Sequence, residues 1–207
     1  MKQNFLILLL YFFSFFAKAI EPYDSNVDLP YLPHGWLRDE NKIYLEKFIK
    51  QLNPKIVIEV GTWLGLSAML MADILADGSK LYAVDTFKGS GADTAGIPFL
   101  PQLYQQFLSN VKHRGLTHKI IPIKQTSWDA AKTLDVKAQL IYIDAAHDYE
   151  NVYGDIIAWY KHLDVGGIIC GDDYGWEGLT EAVKKAANDL NEPLNVYGAF
   201  WYFNPKK

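Results

Sequence analysis

Short apolar runs rich in β-branched residues alternate along the chain with longer segments in which apolar residues recur every three to four positions. The short runs predict five buried strands, at 55–60, 81–85, 120–124, 139–144 and 167–172. The longer segments predict helices at 41–52, 67–75, 101–111, 127–134, 149–163 and 179–190. Two more short strands are expected near 195–197 and 200–203. This alternation is typical of a parallel sheet covered by helices on both faces, so we expect a doubly wound α/β domain.

The N-terminal segment has a different pattern. Lys2 supplies a positive start, the stretch 5–16 is almost wholly apolar, and Ala17-Lys18-Ala19 has the small-x-small form of a signal-peptidase site. These features predict a secretory signal peptide at 1–19, followed by a single domain at 20–207. We therefore expect a secreted or periplasmic protein without stable membrane contact after cleavage. The alternative is an uncleaved N-terminus that anchors the protein in the membrane.

Charge and cysteine content exclude some classes of function. The formal net charge is −4, and no basic stripe is present in the sequence, which argues against a nucleic-acid-binding surface. The single cysteine, Cys170, cannot form an internal disulfide or a thiolate zinc site. We therefore expect a small-molecule partner, and the sequence leaves homo-oligomerisation open.

Ligands of doubly wound sheets bind outside the carboxyl ends of the strands, so these ends are the places to look for chemistry. After the first strand, Gly61 and Gly65 flank the turn into a helix that Ser67 is placed to cap. Such a turn lets a ligand approach the backbone closely. Its Gly-x-x-x-Gly spacing differs from the Gly-x-Gly-x-x-Gly of dinucleotide-binding proteins, so a ligand without a pyrophosphate is favoured. A tight turn without a ligand is the alternative.

Asp85 ends the second strand. An acid at this position can accept hydrogen bonds from both hydroxyls of a ribose. The alternative is an aspartate that only stabilises the local turn.

Three aspartates end the fourth and fifth strands, namely Asp144, Asp172 and Asp173. Neighbouring strands lie about 5 Å apart, so these like charges are costly unless a positive group lies between them. An oxygen-only cluster suits a hard divalent ion such as Mg²⁺. The alternative is that the acids cap the following helices. His147 follows Asp144 by one short turn and is a candidate general base in the same cleft.

Taken together, these motifs resemble those of class I S-adenosylmethionine-dependent methyltransferases. The segments that carry the resemblance are Glu59-x-Gly61-x-x-x-Gly65-x-Ser67, Asp85-Thr-Phe, Ile143-Asp144-x-x-His147-x-Tyr149 and Gly166-Gly-x-x-x-Gly171-Asp172-Asp173. The pattern is most similar to the metal-dependent O-methyltransferases of the macrocin and cephalosporin-biosynthesis type (methyltransferase family 24). Catechol O-methyltransferase is a more distant relative. The resemblance implies a Rossmann-like, mostly parallel seven-stranded sheet whose last strand is antiparallel.

The resemblance also implies roles for individual residues. Around the methionine part of S-adenosylmethionine it places Glu59, Gly61, Thr62, Gly65 and Ser67. It places Asp85 at the ribose, and Thr126 and Ser127 near the adenine. Asp144 borders the cofactor and also binds Mg²⁺, together with Asp172 and Asp173. His147 stands where catechol O-methyltransferase has its lysine base.

The expected function is therefore transfer of a methyl group from S-adenosylmethionine to a hydroxyl of a small molecule, with Mg²⁺ as second cofactor. One alternative is an exported, non-catalytic protein that holds a nucleoside or a metal on the same fold. Another is a nicotinamide-dependent oxidoreductase, because such enzymes share this type of sheet. The glycine spacing disfavours the oxidoreductase.

The predicted cleavage site gives a direct test of export. Protein recovered from its native compartment should begin at Ile20 when its N-terminus is sequenced. A mature chain that begins at Met1 or Lys2 would contradict the predicted signal peptide.

Overall fold

The computed structural model describes residues 22–24, 28–90, 94, 96–98 and 100–204. Its strands are β1 (Ile56–Val60), β2 (Lys80–Asp85), β3 (Ile120–Lys124), β4 (Ala138–Ile143), β5 (Leu163–Gly171), β6 (Leu194–Tyr197) and β7 (Phe200–Phe203). Its helices are α1 (Asp39–Leu52), α2 (Leu66–Ile74), α3 (Leu103–His113), α4 (Ser127–Thr133), α5 (Tyr149–Tyr160) and α6 (Glu177–Leu190). The predicted signal peptide lies outside the described residues.

The strands form one seven-stranded sheet in the order β3-β2-β1-β4-β5-β7-β6. β1 to β5 pair in parallel, whereas β7 runs antiparallel to both of its neighbours. This arrangement confirms the Rossmann-like methyltransferase fold with an antiparallel last strand. The strand order reverses between β1 and β4, and this is the point at which open α/β sheets bind ligands.

Both faces of the sheet are buried. One face packs against α1, α2 and α3 through a cluster that includes Phe48, Met69 and Phe107. The other face packs against α4, α5 and α6 through a cluster that includes Ile156, Trp159 and Val183. Because each central strand is covered on both sides, its sequence is a continuous apolar run rather than an alternating one.

Three sequence-based expectations are wrong in detail. α5 ends at Tyr160 and β5 begins at Leu163, whereas a helix to residue 163 and a strand from 167 were expected. The early part of β5 lacks an apolar run, and it pairs with β4 across a register shift near Ala138. Ser67 does not cap α2, because the N-cap is Gly65 in the left-handed conformation (φ 84°) without a side-chain hydrogen bond.

The segment before α1 is irregular and fixed to α3. The backbone N–H of Leu29 donates to Ser109 Oγ at 2.9 Å, and Leu32 exchanges hydrogen bonds with the Asn110 side chain. These contacts bring residues 34–38 to the carboxyl edge of the sheet. Within the described part of the chain, we find no helix whose length and apolar character would suit a membrane span.

The tips of β1 and β4 approach each other closely at Gly61. A Cβ on this residue would lie 2.1 Å from the backbone oxygen of Asp144, and its φ of +89° is one that only glycine adopts readily. The absence of a side chain therefore serves first to let the two strand tips meet, and this contact fixes the position of Asp144.

Replacement of this glycine should be unusually costly. In Gly61→Ala, both the positive φ and the clash with a backbone carbonyl destabilise the folded protein. We therefore expect a loss of about 3–5 kcal/mol in the free energy of unfolding. Gly78→Ala is the matched control, because Gly78 has φ +79° and an added Cβ would meet nothing within 4 Å. It should cost about 1 kcal/mol. Equal costs in urea unfolding would show that the close approach is unimportant.

Candidate active site

The carboxyl ends of the strands open on a cavity of about 1020 Å³, at the upper end of the usual range for ligand sites. The predicted site residues that line it are Gly61, Thr62, Ser67, Asp85, Thr126, Ser127, Asp144, His147 and Asp173. Glu59, Gly65 and Asp172 lie outside this lining. The sequence-based site residues are thus gathered around one space, although they come from five separate connections of the fold.

Glu59 is completely buried on β1, beneath the glycine turn. Burial raises the pKa of its carboxyl to about 7, although the nearby hydroxyls of Ser67 and Thr62 act in the opposite direction. Neither carboxyl oxygen has a partner at hydrogen-bond geometry, nor does Thr62 Oγ1. Because Glu59 lies outside the cavity lining, the hydroxyls of Ser67 and Thr62, which do line it, are the polar groups of this turn that a ligand could reach.

Asp85 is held at the tip of β2 by backbone groups. Its carboxyl accepts hydrogen bonds from the N–H of Phe87 at 2.7 Å and from the N–H of Trp63 at 2.9 Å. Burial raises its pKa, and these hydrogen bonds lower it. The aspartate therefore does stabilise the local turn. A carboxylate has further acceptor sites, so the predicted hydrogen bonds to a ribose remain compatible with this role.

The segment after β3 is more constrained than its sequence suggested. Thr126 caps α4 by accepting from the N–H of Asp129. Ser127 Oγ donates to Asp155 at 2.6 Å and accepts from Trp159 Nε1 at 2.8 Å. Both hydroxyls are thus used within the protein, which leaves the backbone of this segment and the Trp128 ring to face the cavity. Asp155, which the sequence analysis missed, also lines it.

The three aspartates do converge. A carboxyl oxygen from each of Asp144, Asp172 and Asp173 lies within 4.8 Å of the other two. They do not cap helices, because Asp148 caps α5 and the N-terminus of α6 has no side-chain cap. Asp173 has a φ of 62°, and strained backbone of this kind is concentrated at functional sites.

Crowding of the carboxylates alters their pKa values. Burial raises the pKa of Asp144 to about 8, and the charges of Asp172 and Asp173 add to this effect. Burial also raises the pKa of Asp172. Burial acts in the same direction on Asp173, but hydrogen bonds from His147 and Arg38 outweigh it and lower its pKa. A cluster of oxygen ligands that is costly to ionise by itself fits a hard divalent cation.

A buried chain of hydrogen bonds supports the cluster from below. Tyr142 Oη donates to Asp144 Oδ2 at 3.0 Å, and Asn41 Nδ2 donates to Tyr142 Oη at 3.0 Å. The first turn of α1 is therefore connected to the carboxyl group through a single tyrosine. Nothing in the local sequence of Asn41 indicates this role, because its partner is 101 residues away.

Two basic side chains, Arg38 and His147, contact the acids from the side of the cavity. Arg38 Nη1 lies 2.7 Å from Asp172 Oδ2 and 2.9 Å from Asp173 Oδ1. His147 Nε2 lies 3.0 Å from Asp173 Oδ2. The predicted candidate base is therefore within hydrogen-bonding distance of a predicted metal ligand. Arg38 was missed because it precedes the acids by more than a hundred positions and stands in an irregular segment.

Aromatic rings surround the same opening. Trp176 packs against His147 with ring centroids 4.6 Å apart, and Trp36 packs against Trp63 with centroids 5.7 Å apart. Trp36 and Trp176 are exposed residues, at 63% and 51% of their full accessibility. Large, solvent-exposed apolar rings at the edge of a cavity are typical of a surface that binds a ligand.

A family model described as a methyltransferase domain matches residues 58–174, which is more than half of the chain. The chain belongs to this methyltransferase-domain family. The match begins in β1 and ends just after Asp173, so it covers the glycine turn, Asp85 and the acid cluster.

Curated relatives of this methyltransferase-domain protein include plant enzymes. Caffeoyl-CoA O-methyltransferase from Populus kitakamiensis is 26% identical over 163 residues, which are 76% of this chain and 62% of the relative. Caffeoyl-CoA O-methyltransferase 2 from Petunia hybrida is 26% identical over 76% of this chain and 59% of its own length. The chain thus spans about three fifths of the curated relatives that it matches.

Solved structures share the fold of this family member. The O-methyltransferase from Bacillus cereus, in complex with SAH, has a TM-score of 0.63 at 15% identity and is matched over 84% of each chain. The O-methyltransferase TomG from Streptomyces achromogenes, in complex with SAM, has a TM-score of 0.63 at 13% identity, over 85% of this chain and 84% of its own.

Because the pKa of Glu59 is raised, the protein should lose stability as the pH rises, and replacement of Glu59 by the neutral, similarly shaped glutamine should remove this loss. The folded protein holds the Glu59 proton up to about pH 7, whereas an unfolded chain releases it near pH 4.3. Ionisation therefore opposes folding increasingly over this range. Glu59→Gln should gain about 2–3 kcal/mol in unfolding free energy relative to the parent protein between pH 5 and pH 8.

Urea unfolding at the two pH values measures this change, and Glu150→Gln, at an exposed position, controls for the loss of one negative charge. A difference between Glu59→Gln and the parent that does not change with pH would show that Glu59 is ionised throughout.

Proposed function

We propose that this protein transfers a methyl group from S-adenosylmethionine to a hydroxyl of a small molecule, and that a divalent cation assists the reaction. One observation carries the proposal: two members of the acid cluster, Asp144 and Asp173, line the same cavity as His147, the glycine turn and Asp85. A cofactor bound along β1 and β2 and an acceptor bound over β4 and β5 would share this space. Holding two reactants together in this way supplies much of a rate enhancement.

The residues of the β1 and β2 tips bind the methyl donor in this proposal. Asp85 accepts from the ribose while its backbone hydrogen bonds keep the carboxyl oriented. Thr62, which also lines the cavity, would contact the same ligand. When bound, S-adenosylmethionine supplies an electrophilic methyl group. The complexes of the Bacillus cereus and Streptomyces achromogenes proteins support this choice of donor.

The β4 and β5 tips orient and deprotonate the acceptor. Asp144, Asp172 and Asp173 would hold Mg²⁺, which lowers the pKa of an adjacent hydroxyl when it is bound. His147 takes up the hydroxyl proton on its imidazole ring. Asp173 Oδ2, 3.0 Å from Nε2, then stabilises the protonated ring. This pairing is a reason to assign the base to His147, because a carboxylate beside the ring favours its charged form.

The acceptor is expected to have an apolar ring. Trp176 packs against His147, and Trp36 lines the same cavity; these exposed rings would cover such a group. Caffeoyl-CoA, from the names of the curated relatives, is therefore a rational first acceptor to test. The chain spans only about three fifths of those relatives, so simple catechols and hydroxylated sugars belong in the same panel.

An exported, non-catalytic binding protein is the alternative that the predicted signal peptide raises, but the O-methyltransferase relatives do not favour it. Mass spectrometry distinguishes the two. An enzyme should form S-adenosylhomocysteine from the cofactor, Mg²⁺ and an acceptor. A binding protein should retain the cofactor unchanged.

Substitutions at the acids and at the base should have different effects. Asp144→Asn should lose both the stabilisation of the fold by Mg²⁺ and methyl transfer, because it removes a charged ligand. His147→Ala should retain cofactor and ion binding but lower turnover about 10²–10⁴-fold, the usual effect of losing a general base. His118→Ala, at an exposed position, is the control and should behave as the parent protein. Turnover that survives chelation and the His147 change would contradict this mechanism.

A further inference from the structure

Arg38 pairs with two aspartates that, in the proposed reaction, are also ligands of the divalent cation. Its Nη1 group bridges Asp172 Oδ2 and Asp173 Oδ1 at 2.7 and 2.9 Å. Asp172 and Asp173 are also members of the acid cluster that would bind a divalent cation. The guanidinium and the ion are therefore alternative cationic partners of the same carboxylates. We propose that Arg38 is an internal counter-ion of the cluster and that a divalent cation must displace it in order to bind.

Because of their charges and the short distances involved, the cluster is not expected to hold the Arg38 guanidinium and a divalent ion at the same time. A divalent ion at oxygen ligands takes bond lengths of about 2.0–2.6 Å, and the candidate ligand oxygens lie within 4.8 Å of one another. An ion among them would stand within a few ångströms of Nη1, and two cations this close repel strongly. Without an ion, the guanidinium offsets the mutual repulsion of the carboxylates.

The exchange requires movement of a side chain only. The backbone carbonyl of Arg38 accepts the first hydrogen bond of α1, from the N–H of Lys42 at 3.2 Å, and the preceding segment is fixed to α3 through Leu29 and Leu32. The Arg38 side chain is 41% exposed and borders the large cavity. Its guanidinium can therefore turn into the cavity while the backbone remains in place.

The contact between His147 and Asp173 survives this exchange. Arg38 uses Oδ1 of Asp173, whereas His147 lies against Oδ2. Replacement of the guanidinium by an ion thus leaves the oxygen that faces the proposed base unchanged. Arg38 is on this account a positioning residue of the metal-free protein, and its removal should affect ion binding in a direction opposite to that of losing a ligand.

The test measures ion affinity and not turnover. Isothermal titration of the purified protein with MnCl₂ should give a three- to tenfold tighter Kd for Arg38→Ala than for the parent protein, about the worth of a half-exposed ion pair. Arg38→Lys should fall between them, because a lysine keeps the positive charge but carries it as a more strongly hydrated point charge. The apparent melting temperature of Arg38→Ala should be lower without ion and should rise more on its addition.

Arg114→Ala is the matched control. Arg114 is 42% exposed and pairs with Asp73, and its loss should leave the Kd unchanged. An Arg38→Ala protein that binds Mn²⁺ as weakly as the parent, or more weakly, would overturn the proposal, and Arg38→Lys repeats this test if the alanine variant does not fold.

This inference rests on the proposed function, and the experiment separates the two. If the parent binds Mn²⁺ and Asp144→Asn does not, the metal site stands whatever Arg38 does. If only Arg38→Ala binds Mn²⁺, the displacement proposal is supported and the guanidinium fills the site of the parent protein. If neither protein binds the ion, both the metal-assisted mechanism and the displacement proposal are wrong.

Discussion

Mutual repulsion among three carboxylates is the constraint around which the rest of this site is arranged. Asp144, Asp172 and Asp173 are brought together by the pairing of β4 with β5. Burial raises the pKa of Asp144 to about 8, and the charges of Asp172 and Asp173 add to this effect. Every cationic or donor group described at the cluster acts against this cost: Tyr142 from below, Arg38 and His147 from above. A divalent ion would neutralise the cluster more completely than any of them.

The fold produces this convergence through simple geometry. Parallel strands end at the same edge of the sheet, so polar residues that follow separate apolar runs meet there. The contact of Gly61 with the carbonyl of Asp144 joins the glycine turn to the acid cluster. The irregular segment before α1 completes the opening of the cavity. Its hydrogen bonds to α3 place Trp36 and Arg38 at the carboxyl edge of the sheet. The cofactor, the ion and the acceptor would thus all bind along the carboxyl edge of the same sheet.

Sequence reasoning recovered what depends on local pattern. Apolar runs identified the strands, and the acids at their ends identified the cluster, because both signals lie within a few residues of each other. Arg38 and Asn41 were missed because their partners are distant in the sequence and only the fold brings them together. The role of Ser67 was misassigned, since a left-handed glycine at the N-cap leaves no need for a side-chain cap. The early part of β5 was missed because its pairing follows a register shift rather than an apolar run.

The central claim is that the acid cluster is a divalent-cation site beside a bound cofactor. Anomalous scattering from crystals grown with MnCl₂ and S-adenosylhomocysteine tests it most directly. The account predicts one strong manganese peak among the carboxyl oxygens of Asp144, Asp172 and Asp173, with the Arg38 guanidinium turned into the cavity. S-adenosylhomocysteine bound without a manganese peak at the acids, and with Arg38 still bridging Asp172 and Asp173, would contradict it.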